Sequence, residues 1–305
     1  TSGGGTTSIN GPSVTTSGSA GQSFNDSVML LADTTLNAGS GGISFAAAVD
    51  GAAALAVNTS GTSSFAAAIG DIIPLASLTT DAGGTSLVAG GLARTSGTQT
   101  WQDTTVSMPV DTVFQSQAGS ILAGQGTSFL AAGRDVSLLA ATGIGTAAAP
   151  IRIAAAEVMA AITGSSGDIY ITGLGDLVVA AGGITAPGRI GIDASGQIRV
   201  PDGGQITAPG GVTAGRPVRW SVIGTDDAGT VSLRRVIANA NTAGVEGVLV
   251  FTGSSNEFRP ATPLPTLTTR LTIDGTGAGV VLDGQGTVST GLALAAGAAG
   301  STIRG

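Results

Sequence analysis

The sequence predicts an all-β fold, a parallel β-helix in which each coil of about 20 residues lies in register on the one before. The first observation behind this is a repeat between Asp168 and Gly210. Asp168-Ile169-Tyr170-Ile171 is answered at an offset of 21 by Arg189-Ile190-Gly191-Ile192, and Gly175-Asp176-Leu177-Val178-Val179, at the same offset, by Gly196-Gln197-Ile198-Arg199-Val200. Ile184-Thr185-Ala186-Pro187-Gly188 returns letter for letter as Ile206-Thr207-Ala208-Pro209-Gly210 at an offset of 22. The second observation is the alternation of Ile, Leu and Val at the period of a strand, without helical spacing. The third is that each short run is closed by Gly, Pro or Asp, so no unit can bury an apolar face alone and the units have to stack. Each coil then adds about 4.8 Å along the axis, the spacing of hydrogen-bonded strands.

Composition agrees with a solenoid and removes several kinds of chemistry. Gly makes up 51 of 305 residues, charged residues 10% and aromatics 3%, while apolar residues reach 42% and fall in periodic positions, so the chain should fold. There is no His, no Cys and no Lys, and all twelve basic residues are Arg. A Ser-His-Asp or Cys-His nucleophile system, a zinc site of His/Cys type and a Lys Schiff base therefore cannot be assembled. A net charge of -7 argues against nucleic acid or an anionic membrane as partner, since both demand clustered basic residues, and Arg234-Arg235 is the one adjacent basic pair. The longest apolar stretch, residues 147–162, is broken by Pro150, Arg152 and Glu157, so no membrane span is expected.

Along the chain, residues 1 to about 140 carry a longer self-similarity. Gly4-Gly5-Thr6-Thr7-Ser8-Ile9 aligns with Gly83-Gly84-Thr85-Ser86-Leu87-Val88 at an offset of 79. Gln22-Ser23-Phe24-Asn25-Asp26 aligns with Gln99-Thr100-Trp101-Gln102-Asp103 at 77, and Asp33-Thr34-Thr35-Leu36 with Asp111-Thr112-Val113-Phe114 at 78. The expectation is a unit of four coils of about 20 residues. The single coil shows directly where Ser44-Phe45-Ala46-Ala47-Ala48-Val49 recurs as Ser64-Phe65-Ala66-Ala67-Ala68-Ile69, at an offset of 20.

This region resembles the passenger repeats of bacterial filamentous-haemagglutinin-like and autotransporter-type surface proteins. The resemblance rests on Gln22-Ser23-Phe24-Asn25-Asp26, the Gly-Ile-Ser-Phe run at 42–45, Leu78-Thr79-Thr80-Asp81-Ala82-Gly83-Gly84-Thr85, and the Gly-x-Ile-x-x units of 168–210, and it covers about two thirds of the chain. It implies a right-handed parallel β-helix, secretion, and a role in adhesion or cell-surface architecture. The family's amino-terminal secretion motif of Asn-Pro-Asn-Gly type is not matched by Ile9-Asn10-Gly11-Pro12.

Within residues 140–167, the stretch from Ile153 to Ile162 is Ala-rich and would pass as helix by propensity. It is read as β, because Ile151-Arg152-Ile153 sits one coil before Ile169-Tyr170-Ile171 and Val158 fits the next face. After Gly215 the pattern changes. Val218-Arg219-Trp220-Ser221-Val222-Ile223 reads as a strand, and residues 232–241 read as one short α-helix, with Leu233, Val236, Ile237 and Ala240 on one face and Ser232 or Thr230 as cap. Such a helix suits a plug over the open end of a solenoid.

From here the chain looks like the start of a second β-helix module of the pectin-lyase-like class. The likeness rests on residues 231–241, on Leu264-Pro265-Thr266-Leu267-Thr268, Leu271-Thr272-Ile273-Asp274-Gly275 and Val281-Leu282-Asp283-Gly284, and on Gly300-Ser301-Thr302-Ile303-Arg304-Gly305. The family usually carries Cys just before the Ser-Leu-Arg; here Val231 stands there, so any disulfide made at that point is absent. The expected division is thus 1–215, a repeat region, and 216–305, the start of a second module that continues beyond Gly305.

Candidate chemistry is sparse. Asp226-Asp227 and the turns Asp274-Gly275 and Asp283-Gly284 are the carboxylate groupings to weigh as cation ligands, and a glycosidase would need two carboxylates about 5 to 9.5 Å apart. Asp-Gly is also the ordinary tight-turn dipeptide, which is the preferred reading. Gly275-Thr276-Gly277-Ala278-Gly279 imitates a phosphate loop but no Lys follows. No catalytic residue and no cofactor is assigned.

The function expected is a non-catalytic structural rod of a secreted or cell-surface adhesin or extracellular matrix fibre. Its partners would be a host or neighbouring cell surface or an extracellular polysaccharide, with end-to-end self-association into filaments through unpaired strand edges. The alternatives are a polysaccharide-active β-helix enzyme, lyase or glycosidase, and more remotely an ice-binding β-solenoid, for which Thr34-Thr35, Thr79-Thr80 and Thr104-Thr105 are superficially suitable.

Overall fold

A computed structural model describes residues 4–201, 203–254, 256–286 and 288–305. Every strand pairing among them is parallel. The chain winds into a β-solenoid of about 12 coils with about 22 residues per turn.

Each coil of the first half has three sides. Face A begins with Thr6–Ile9, Ser27–Leu30 and Val49–Asp50, passes through the single bridging residue Ile69, and continues in Leu92–Thr95, Thr112–Ser116, Val136–Ala140 and Val158–Ile162. Face B runs from Ser13–Thr15 through Thr34–Asn37, Ala54–Asn58, Ser77–Thr80, Gln99–Trp101 and Ser120–Ala123 to Gly143–Ile144. Face C runs from Gln22–Phe24 through Ile43–Phe45, Thr62–Phe65, Thr85–Val88, Thr105–Ser107 and Ser128–Ala131 to Ile151–Ala155.

The short-period expectations hold residue for residue. Ile169, Tyr170 and Ile171 lie under Ile190, Gly191 and Ile192; Leu177 lies under Ile198, Ile184 under Ile206, and Phe45 under Phe65. The Ala-rich stretch is β, as Ile151–Ala155 and Val158–Ile162.

Two expectations need correction. Ile151 does not sit beneath Ile169 but beneath Ile171, while Ile169 stacks on Ile144. The reason is that Asp168–Gly173 is one continuous strand laid across the ends of both face B and face C, which fuse at this level.

The long repeat is likewise not four coils. From Thr6–Ile9 on face A, its partner Thr85–Val88 on face C comes ten strands and the Ile69 bridge later, eleven steps where four full coils would take twelve. Gln22–Phe24 on face C and Gln99–Trp101 on face B are separated in the same way, as are Thr34–Asn37 on face B and Thr112–Ser116 on face A. The repeated unit therefore steps back by one face where it recurs.

The interior is a set of columns. Phe24, Phe45 and Phe65 stack ring on ring at 5.1 Å between centroids, nearly parallel. Farther along the axis the large rings come from three different faces: Trp101 meets Phe114 edge-on at 5.5 Å, and Phe114 meets Phe129 at 5.6 Å. These rings are all but completely shielded from solvent, and each such side chain contributes about 1.5–3 kcal/mol by leaving water.

Buried polar side chains close the corners. The Gln22 Nε2 donates to the carbonyls of Val14 and Asn37, one in its own coil and one in the next; the Gln99 Nε2 does the same with Ala93 and Gln115. The aligned glutamines thus perform one local task at corners one face apart.

Above the fused strand, face A also changes. Leu177–Thr185 carries a register shift against Val158–Ile162, so that Leu177 leads to the column Ile198–Val200, Val218–Val222, Gly247–Phe251, Leu271–Asp274 and Thr302–Arg304, whereas Ile184 leads to Ile206–Thr207. The first of these columns passes residue 215 without a break in parallel pairing.

Helix α1 spans Leu233–Ala243, ending slightly beyond the expected position 241, with Ser232 as N-cap accepting from the Arg235 N–H and Gly244 left-handed at its end. Leu233, Val236, Ile237 and Ala240 are buried as the spacing required. The helix packs on Ile206–Thr207, where one column ends, and on Val218–Val222, while the neighbouring column runs past it. No helix among the described residues is long and apolar enough to cross a membrane.

Candidate functional site

The predicted carboxylates are placed in turns and clasps. Asp274 accepts from the Thr276 N–H at 3.1 Å and Asp283 from the Gln285 N–H at 2.8 Å, which is the side-chain turn that Asp-Gly favours. The Thr276 bonds and Arg304 hold the Asp274 carboxyl below its ordinary range. Asp227 receives the Arg234 guanidinium on both oxygens, at 2.8 and 3.1 Å, and also the Ala261 N–H at 3.1 Å. Arg234 in turn donates to the carbonyls of Thr262 and Pro263, so the pair fastens the start of α1 to the 260–263 segment.

Asp226 is exposed beside this clasp. The hollow that Asp226, Asp227, Arg234 and Arg259 share measures about 10 Å³, space for one water at most, so no sugar ring enters it. Asp274 lies apart, ion-paired with Arg304 at 3.1 Å. Among the described residues no group of three or more carboxylates is gathered as for a metal ion.

The outward Thr residues form only a short ladder. Thr62, Thr85 and Thr105 are stacked on successive coils of face C, with Thr62 and Thr85 hydroxyls 3.0 Å apart, but Ser128 and Arg152 follow them. Thr34 and Thr80, from the Thr-Thr pairs noted in the sequence, point inward and are buried.

The most built feature of the surface lies on the outside of the fused sheet, and composition gave no hint of it. Three outward rows are stacked there. Tyr170 and Thr172 lie in the lowest, Gly191 directly above Tyr170 and Asp193 above Thr172 in the next, and Thr213 above Gly191 in Val212–Ala214. Because Gly191 has no side chain, the middle row is sunken, and the Tyr170 ring occupies the vacated place: a methyl added to Gly191 would fall 2.6 Å from the ring's Cδ1 and 3.0 Å from Cε1. The result is a shallow groove of about 380 Å³ that Arg189, Asp193 and Thr213 also line, and these three are exposed.

Its polar edge is ordered by Asp168. One oxygen accepts the Arg189 N–H at 2.7 Å and the other accepts the Tyr170 hydroxyl at 3.4 Å. Asp193 faces Arg216 at 3.8 Å on the opposite side. The signal was present in the short repeat, where Tyr170 and Gly191 are equivalent positions one coil apart, an aromatic answered by the smallest residue.

A second unforeseen feature is interior. Asp103 is 1% exposed; its Oδ2 accepts from the Ser86 hydroxyl at 2.8 Å, while Oδ1 meets no donor among the described residues. Burial pushes its carboxyl above the ordinary range and the nearby Asp81 adds to this, against the Thr80 and Ser86 hydroxyls. Gly84 is required beside it, since a methyl there would fall 2.4 Å from the Thr59 carbonyl and 3.2 Å from the Asp103 Oδ1.

No protein-family model, no curated protein and no solved structure matches the chain in comparisons with each.

Proposed function

We propose that the chain is a non-catalytic structural rod, part of a secreted or cell-surface adhesin or matrix fibre, whose work is reach, stiffness and presentation. The observation that carries this reading is the parallel ladder from Thr6 to Arg304, joined through the single bridging residue Ile69, in which core columns and corner glutamines maintain the coil while the outward residues vary. Residues spent in this way lengthen the object and stiffen it, because each coil is hydrogen-bonded and packed to both neighbours. In this reading the partners are a host or neighbouring cell surface or an extracellular polysaccharide.

Small-angle scattering and negative-stain images of the chain should show a particle on the order of 60 Å long, about 12 rises of a strand spacing. A sphere of equal mass would refute the rod. Incubation with acidic and neutral polysaccharides, with and without Ca²⁺, should release no new chain ends. Turnover that disappears on Asp226→Asn or Asp283→Asn would replace the scaffold by a polysaccharide-active enzyme.

A further inference from the structure

We infer that the groove over Gly191 binds an uncharged hexopyranose unit of a glycan chain, with the Tyr170 ring as its stacking platform. This deepens the proposed function by naming what one side of the rod holds.

Placement of the ring is the first argument. The chain has ten aromatic residues, and the two Trp and six of the Phe are buried. Phe251 packs against the core and against Phe258 at 5.3 Å. Tyr170 is the exception: it stands at an outward strand position, half-buried, on the floor of a groove. The ring turns its Cδ1–Cε1 edge toward the place above Gly191, and the residue lines the groove while remaining half-buried. The faces of such a ring carry the negative lobe of its quadrupole, to which the weakly positive C–H groups of a pyranose are drawn.

Around the platform stand the groups a sugar's hydroxyls require. Asp193 accepts, Arg189 donates, and the Thr172 and Thr213 hydroxyls do either. Their order is fixed by strand register rather than by flexible loops, since Thr172 stacks under Asp193 and Gly191 under Thr213. The groove's volume of about 380 Å³ lies within the range of about 300–1,000 Å³ usual for ligand sites.

Charge selects among glycans. Asp168 and Asp193 are matched in number by Arg189 and Arg216, with Asp168 already engaged by the Tyr170 hydroxyl and the Arg189 backbone N–H, so these four groups carry no net charge to favour an acidic sugar. A competing account is that Tyr170 only shields the backbone at Gly191. It predicts a folding defect without any ligand response.

The single tyrosine supplies the test. The whole chain, ¹³C-labelled at tyrosine, is titrated with hexamers of β-1,4-linked glucose, mannose and N-acetylglucosamine, and in a separate arm with oligogalacturonate. At least one neutral hexamer should shift the Tyr170 ring signals saturably. Tyr170→Ala should weaken that binding about tenfold, the size of an aromatic stacking contact, and Tyr170→Phe, which keeps the ring, should stay within about threefold. Gly191→Ala, which forces the ring from its seat, should weaken binding with Tyr170 still present. Ring signals unmoved by every neutral hexamer, Tyr170→Ala binding like the wild type, or a response to oligogalacturonate alone would each overturn the inference. Scattering on the same samples reads the rod independently, so either proposal can fail without the other.

Discussion

Trp101 donates its indole N–H to Oε1 of Gln99 at 3.3 Å, in a part of the core where both side chains are 0% exposed. In the aligned unit Phe24 stands in place of Trp101, and Oε1 of Gln22 has no partner among the described residues. One recurrence of the repeat satisfies its corner glutamine and the other leaves an acceptor bare. Trp101→Phe should therefore reproduce the poorer corner and destabilise the chain by about 1–3 kcal/mol, the usual cost of an orphaned buried polar group. Urea unfolding with the wild type alongside checks this; a loss below about 0.5 kcal/mol would mean the contact carries little.

Asp103 predicts a pH response. Its folded carboxyl is raised above the ordinary 3.8, so the folded state binds the proton more tightly than the unfolded chain does. The associated stability is fully present below 3.8 and is lost as pH rises through the higher folded value. Asp103→Asn, which stays neutral, should lose this slope, and its melting temperature should gain on the wild type between pH 4 and pH 7. A difference that is flat with pH would show Asp103 to be as easily ionised folded as unfolded.

The clasp between Asp227 and Arg234 is partly shielded and doubly hydrogen-bonded, so it outweighs an ordinary surface pair. Asp227→Ala should loosen the start of α1 and the 260–263 segment by about 1–3 kcal/mol. Amide exchange should then rise in these two segments while the coils below residue 200 keep their protection. Ser232→Ala, removing the N-cap, should cost about 1 kcal/mol and affect the helix alone.

In the aromatic column, Phe45 has a ring on each side at 5.1 Å. Phe45→Ala should cost about 3–5 kcal/mol, because the rigid coils above and below cannot close over the space. Phe45→Leu should cost distinctly less. Equal effects of the two in denaturant unfolding would indicate a core that collapses freely.

Asp176 gives the opposite pH sign at the surface. The Gln197 N–H and then the Arg199 guanidinium hold its carboxyl below the ordinary 3.8. Its contribution is present above that value and fades as pH falls through the lower folded one. NMR titration of Asp176 should give a midpoint under 3.8 that moves back up in Arg199→Ala.

The sequence by itself determined the local unit: a strand, a tight corner, the length of one coil, the inward and outward alternation, and the apolar stripe and cap of α1. Those features depend on near neighbours in the chain or on the adjacent coil, and a repeat such as Ile184-Thr185 over Ile206-Thr207 displays them in the letters. Which face a unit occupies was decided only in three dimensions. Face depends on how many corners have accumulated along the chain, and segment 70–74, looped out between the bridging residues Ile69 and Leu75, adds length without adding a face. Hence a repeat at offsets of 77 to 79 reads as four coils and is one face short of them.

The same distinction separates the two sets of candidate residues. Asp274-Gly275 and Asp283-Gly284 were legible as turns because the hydrogen bonds that make the turns reach only to the next residue but one, whereas the Arg304 partner of Asp274 comes from a later coil. The hollow over Gly191 is made by a missing side chain in one coil and a ring from the coil beneath, and the bare oxygen of Asp103 by the closing of a corner around it. Both arise only when separate coils are pressed to the spacing of a hydrogen bond, which is a property of the stack and not of any one lap of chain.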